Sequence, residues 1–248
     1  MIPFFRKIRK TLADDNKPIK YFRYAIGEIV LVVIGILIAL QINNWNNELV
    51  NKRDEHDIIK NINLEFKQNK KTLGEAIKYH KTILANTKDM MSLIGQSEAV
   101  LKKYNVDSLI SQSLDYIEYN PSKAVYTDLI SSGKLNLISS DSLRLLLFEW
   151  SIRLDEKIEA YKTVDEISQT LLLPYLTKNA SLKNIDSYSI VKWKEKSKLS
   201  TNYYKMFQDL EFENNMENQV WDITNYIMAL ESLEKATEKV IEKTKREL

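Results

Sequence analysis

Ala25–Ile42 reads AIGEIVLVVIGILIALQI, and this stretch decides the fold. Across its 18 residues only Glu28 and Gln41 are strongly polar. An α-helix of that length spans about 27 Å at 1.5 Å per residue, close to the ~30 Å hydrocarbon core of a bilayer. A buried β-strand would need turn signals within about eight residues, and the run offers none. The flanks suit a spanning helix. Tyr21, Phe22 and Tyr24 lie at one end and Trp45 at the other, where amphipathic aromatics settle among headgroups. Asn43, Asn44, Asn46 and Asn47 surround Trp45 and mark the return to water.

Orientation follows from charge. Arg6, Lys7, Arg9, Lys10, Lys17, Lys20 and Arg23 precede the span, against Asp14 and Asp15. Just beyond it, Lys52 and Arg53 face Glu48, Asp54, Glu55 and Asp57. Lys and Arg gather on the cytoplasmic side of single spans, so the N-terminus is expected in the cytoplasm and the rest exported. The end of the run, IALQINNW, lacks the A-x-A pattern of a cleaved signal peptide, so it reads as an uncleaved signal anchor. The expected organisation is a basic leader over 1–24, a transmembrane helix over 25–43 and an exported domain over 44–248. Within the leader, Phe5, Ile8 and Leu12 recur at helical spacing among basic residues. That pattern suits a short amphipathic helix on anionic lipid or a basic tail that only sets topology.

Composition narrows the remainder. The 248 residues carry 36 Lys and Arg against 34 Asp and Glu, with 44% hydrophobic and 28% charged residues. These are ordinary globular values, so low-complexity disorder is excluded. Without cysteine there is no disulfide framework, thiol nucleophile or thiolate metal site. The exported part has no basic excess, so a nucleic-acid partner is not expected. Five glycines and four prolines are too few for a turn-rich β-sandwich.

The run YFRYAIGEIVLVVIGILIALQINNWN, Tyr21 to Asn46, with FFRKIRK ahead of it, resembles the N-terminal signature of a family of uncharacterised bacterial single-pass membrane proteins, a domain of unknown function. SSGKLNLISSDSLRLLLFEW, residues 131–150, is similar to that family's central segment. The resemblance implies an envelope protein of Gram-negative bacteria, single-pass in the inner membrane, with an exported helical region in the periplasm. It implies no activity and no ligand.

Beyond Glu48, apolar residues recur at three and four. Ile59, Ile62, Phe66, Asn69, Leu73, Ile77, His80, Ile83, Thr87, Met91 and Ile94 form one stripe, predicting a helix that ends at Gly95. Residues 97–118 suggest short helices. Asn120 and Pro121 read as N-cap and N1 of a helix that Gly133 closes. Ser140 and Asp141 open the next helix, with Leu143, Leu147, Trp150, Leu154, Ile158, Tyr161, Val164 and Leu171 on its apolar face, and Pro174 ends or kinks it. A polar connection over 177–200 is expected to hold one short helix at Val191 to Lys196. Val220, Ile223, Ile227, Leu230, Leu233, Thr237, Val240, Thr244 and Leu248 mark the last long helix. The fold class is therefore all-α: one N-terminal transmembrane helix, then an exported helical bundle with long, partly coiled-coil helices.

No motif carries catalytic chemistry. His56 and His80 lie too far apart on one helix to share a metal, and no E-x-x-H, H-E-x-x-H, G-x-S-x-G, Walker or G-x-G-x-x-G pattern occurs. The expectation is no enzyme, no cofactor and no metal. The residue that breaks a rule is Glu28, since an intramembrane carboxylate is costly unless near the boundary or against a partner. Glu28, Val32, Gly35 and Ala39 follow 4, 3, 4 spacing on one face, and Gly35 with Ala39 is a small-xxx-small pair that permits close helix approach. These four are the candidate contacts to a second copy or another membrane protein. Tyr21, Tyr24 and Trp45 are the candidate anchors in the bilayer. The first functional expectation is an interaction or scaffold protein of the cell envelope. The second is a sensory or accessory subunit whose bundle binds a ligand and signals through a membrane partner.

Overall fold

In the computed structural model, residues 18–248 are described, apart from the side chains of Pro18, Lys20, Tyr21 and Tyr24. The leader's amphipathic pattern at Phe5, Ile8 and Leu12 lies outside the described residues, as do the side chains of Tyr21 and Tyr24. The described residues are predominantly helical and contain no strand. The chain divides into two compact units at His56 and Asp57.

The first unit is the opening part of α1, Pro18–Met91. Its apolar run is uncovered, and no residue of its most hydrophobic 18-residue window is buried. Among the described residues this is the one helix long and apolar enough to cross a membrane.

The second unit is a helical bundle. It holds the rest of α1, then α2 (Glu98–Leu101), α3 (Val106–Leu114), α4 (Ala124–Ser131), α5 (Asp141–Ile167), α6 (Leu173–Asn179), α7 (Leu182–Ile185), α8 (Tyr203–Met206) and α9 (Leu210–Glu247). Three long elements form its body. Trp150 of α5 donates to Thr237 of α9 at 3.1 Å, and the rings of Tyr161 and Tyr226 meet at 5.6 Å, so α5 and α9 run antiparallel. Asn63 bonds Thr244, Lys70 pairs with Glu238 and Lys81 with Glu231, so α1 is also antiparallel to α9. Those lysine–glutamate pairs are exposed and contribute about 0–1 kcal/mol each, so the register is set by the core. That core packs Ile62, Phe66 and Leu73 of α1 against Leu143, Leu147 and Trp150 of α5 and Ile223, Leu230 and Leu233 of α9. A second core closes the end where α1 stops, joining Met90 and Leu93 to Ile110, Leu176, Phe207 and Phe212.

Local signals explain several boundaries. Gly95 and Gly133 sit at positive φ, 77° and 70°, where a side chain would be strained. Gly95 donates its N–H to the Phe207 carbonyl at 2.8 Å. Ser140 caps α5, its hydroxyl accepting from Leu143 N–H. Pro174 has no N–H for the carbonyl four residues back, and the chain widens into a π-turn, Ser168–Leu172, directly before it.

Five expectations need correction. α1 ends at Met91 and not at Gly95, which lies at the end of the turn that follows and bonds the Phe207 carbonyl. Asn120 and Pro121 do not open a helix, and α4 starts at Ala124. Pro121 biases the residue before it toward extended backbone, and the segment finds its partners in side chains instead of a helical ladder. Val191 to Lys196 is not helical; the connection's helix is α7, nearer its start. The last helix begins at Leu210, ten residues before the expected start, because the Asp209 carboxylate caps it through Glu211 N–H. On α5 the residue fully buried at the fifth turn is Lys157, while Ile158 is half-buried.

Candidate functional site

The membrane-facing candidates lie on α1 in the first unit. Helical geometry places Glu28, Val32, Gly35 and Ala39 on one face. Glu28 is half-buried and engaged within the chain, Val32 is exposed, and a Cβ at Gly35 would meet nothing within 4 Å. The small pair therefore leaves open room on the helix surface. Trp45 is also exposed.

The second unit holds a polar arrangement that periodicity does not announce. Between Leu114 and Ala124 the chain is an extended strap, residues 115–123, and side chains from α1, α5 and α9 take up its backbone groups. Asn69 is bidentate, donating to the Ser122 carbonyl at 2.8 Å and accepting Ser122 N–H at 2.9 Å. The Tyr226 hydroxyl accepts Tyr119 N–H at 2.9 Å. His80 Nε2 accepts Ile117 N–H at 3.4 Å. Lys157 Nζ donates to the Tyr119 carbonyl at 2.6 Å and to Glu118 at 3.1 Å. Tyr119 in turn donates its hydroxyl to the Asn69 carbonyl at 3.0 Å. At the strap's start Asp115 accepts from Tyr79, and Tyr116 donates to Asp165 at 2.9 Å. A buried backbone N–H or C=O must be paired, and here helical side chains provide what a second strand would provide in a sheet.

The network fixes protonation states. His80 accepts the Ile117 N–H at Nε2, so its Nδ1 carries the ring hydrogen and donates to the Ala76 carbonyl at 2.8 Å. Its imidazole is neutral, and burial pushes its pKa below the usual range. The rings of Tyr79 and Tyr226 meet it edge-on at 5.4 and 4.9 Å. Lys157 is wholly buried, and burial lowers its pKa against the pull of Glu118. Burial raises the Tyr226 phenol far above its normal value. His80, Lys157 and Tyr226 are sealed from solvent, so their work is to hold the strap. Among the described residues no group of three or more His, Asp or Glu side chains is placed to hold a metal ion.

The sequence reading missed the strap and Lys157. One signal for the strap was available, the Asn120–Pro121 pair, which disfavours helix at Asn120. No signal pointed to Lys157, because a lysine among apolar turns ordinarily extends its ammonium to water.

A model of a family of unknown function (DUF6090) matches residues 28–169. The chain belongs to this family. The part of the chain matched as DUF6090 takes in the Glu28–Ala39 face, Asn69, His80, the whole strap and Lys157. Tyr226, the strap's third long-helix partner, lies beyond it. No curated protein and no solved structure matches the chain.

Proposed function

We propose that this DUF6090 protein is a membrane-anchored interaction or scaffold component of the bacterial cell envelope. In this reading it is single-pass in the inner membrane, with the N-terminus cytoplasmic and the bundle periplasmic. The observation that carries the proposal is the uncovered first unit, an apolar helix that carries the small residues Gly35 and Ala39 one turn apart. In lipid, helices associate through close packing and polar contacts, which small residues one turn apart permit. The occupant proposed for this face is a second copy of the span or another membrane protein, with the bilayer around both. The packed bundle, whose polar strap is held by wholly buried side chains, suits a structural module better than an enzyme or a nucleic-acid binder.

Crosslinking in native membranes tests the contact. Gly35→Ile separates the backbones and is expected to remove the crosslinked species, a loss of about 1–2 kcal/mol. Ile34→Leu, on another face, should leave it intact. An unchanged pattern in Gly35→Ile would mean that the span is only an anchor. A reporter active only outside the cytoplasm, fused after Leu248, should give signal, and a cytoplasm-only signal refutes the topology.

A sensory role draws on a different feature, a cleft of about 430 Å³ lined by Tyr79, Asn86, Gln112, Asp115 and Tyr188. It is open and shallow in charge, with two carboxylates and no cation among its walls. Retention of the crosslinked species in Gly35→Ile, together with a thermal shift on adding a small amine, would favour this reading.

A further inference from the structure

The connection between α7 and α8 departs from the rest of the surface. Over residues 178–205 there are seven lysines against Asp186 and Glu195, in a chain whose charges otherwise nearly balance. The same stretch presents large apolar side chains to water. Ile190 is 96% exposed, Leu199 80%, Trp193 52% and Val191 50%. Lys192, Lys194 and Lys198 are exposed among them.

Hydrogen bonds fasten the loop. Lys192 N–H donates to the Asp186 carbonyl at 3.1 Å, and Ser197 N–H donates to Asn184 Oδ1 at 2.7 Å, so α7 and the residues just after it fasten the loop. Lys196 reaches Asp107 of α3 at 3.7 Å. Lys192 has φ 52°, the one positive value at a non-glycine among the described residues. A lysine in that region is strained, so surrounding bonds must hold it there. Trp193 lies under the Lys183 ammonium at 5.6 Å. The loop belongs to the end of the bundle where α1 stops, since α7 and α8 pack in the same core as Met90 and Leu93. Along α1 that end lies about 50 Å from Asp57 at 1.5 Å per residue.

We propose that residues 188–199 are a docking loop for an anionic phospholipid surface. Lysines beside an anionic bilayer are attracted to its headgroups, and tryptophan prefers the interface between headgroup and chain. The apolar side chains decide between lipid and a soluble polyanion. A polyanion gains nothing from Ile190 or Leu199, whereas the acyl boundary removes both from water. The proposal is independent of any contact made by the span.

The test uses the full chain reconstituted in phosphatidylcholine vesicles, with labelled acceptor vesicles added. Acceptors containing phosphatidylglycerol should be captured and pure phosphatidylcholine acceptors should not. Replacing Lys192, Lys194 and Lys198 with Gln should lower capture about fivefold per lysine, on the order of a hundredfold together. Replacing Ile190, Trp193 and Leu199 with Ser should lower it comparably. A control variant with Trp221→Ser and Met228→Ser, exposed residues of α9, should capture normally. Quenching by brominated phosphatidylglycerol gives a second measurement on intact protein, because part of the wild-type signal should vanish in Trp193→Phe. No capture of the anionic acceptors, or equal capture of neutral ones, overturns the proposal. So does loss in the lysine variant with the apolar variant unchanged, which would make the loop a purely electrostatic polyanion site. Quenching that is the same in Trp193→Phe overturns it as well.

Discussion

Removing one strap bond at Tyr226 should cost at least as much as removing two at Asn69. Tyr226→Phe and Asn69→Leu are nearly isosteric, so neither opens a large cavity. The first deletes the acceptor of Tyr119 N–H, and both residues are buried, at 0% and 6% exposure. Water cannot replace that hydroxyl, so the cost is the full penalty of a buried unpaired donor, at the upper part of about 1–3 kcal/mol. The second deletes both partners of Ser122, but Ser122 is exposed, and water can take up its N–H and C=O. Each of those losses falls to about 0.5–1 kcal/mol, roughly 1–2 kcal/mol together. For a unit of this size a kcal/mol shifts the midpoint by about 2–4 °C. Tyr226→Phe should therefore lower it by roughly 4–12 °C and Asn69→Leu by roughly 2–8 °C. Thermal unfolding of the detergent-solubilised chain by circular dichroism measures the shifts. Hydrogen exchange over residues 115–123 should rise in both variants. A larger shift for Asn69→Leu, or exchange in the strap unchanged in either variant, would refute the argument that burial sets the cost.

The His80 imidazole is held below its usual value, so the folded state disfavours its protonation. Its stabilising contribution is complete above the unfolded value of about 6.5 and is lost as pH falls from there through the folded value. The unfolding midpoint should drop over that window less steeply in His80→Gln than in the wild type, and parallel curves would contradict the assignment. Lys157→Met keeps the buried stem volume and lets the partly exposed Glu118 return to water but takes the donor from the buried Tyr119 carbonyl, so it should cost about 1–3 kcal/mol. Lys157→Ala adds a cavity and should cost about 3–5 kcal/mol. Equal destabilisation would show that the ammonium, not the packing, is what matters. Residues 48–248 expressed without the anchor should remain soluble and give a helix-dominated circular dichroism spectrum, and a substantial β contribution would refute the bundle.

Where a signal is local, the chain states it openly. The apolar run of α1 is read directly, because eighteen residues of such composition have few alternatives. The Ser140 cap and the left-handed Gly133 after α4 are equally legible, since each depends on one residue and its own backbone. The last helix was read short because its first turns carry Asn214, Asn215 and Glu217 beside Phe212 and Met216, which blurs the stripe. Phe212 and Met216 are buried by the second core, which joins the neighbouring Met206 and Phe207 to segments as distant as Met90 and Ile110.

Sequence by itself therefore determined the helical class, one N-terminal apolar run long enough to cross a membrane, and the start of α5 at Ser140. Tertiary structure alone decided that residues 115–123 lie extended, that His80 is neutral and that Lys157 is interred. Those outcomes depend on partners such as Tyr226 and Glu118, brought together by packing between α1, α5 and α9. Helical periodicity records which face turns inward, but not which backbone N–H or carbonyl will be waiting there. The physical reason is that pairing of a buried polar group is set by distance in the folded chain, and local propensity carries no information about it.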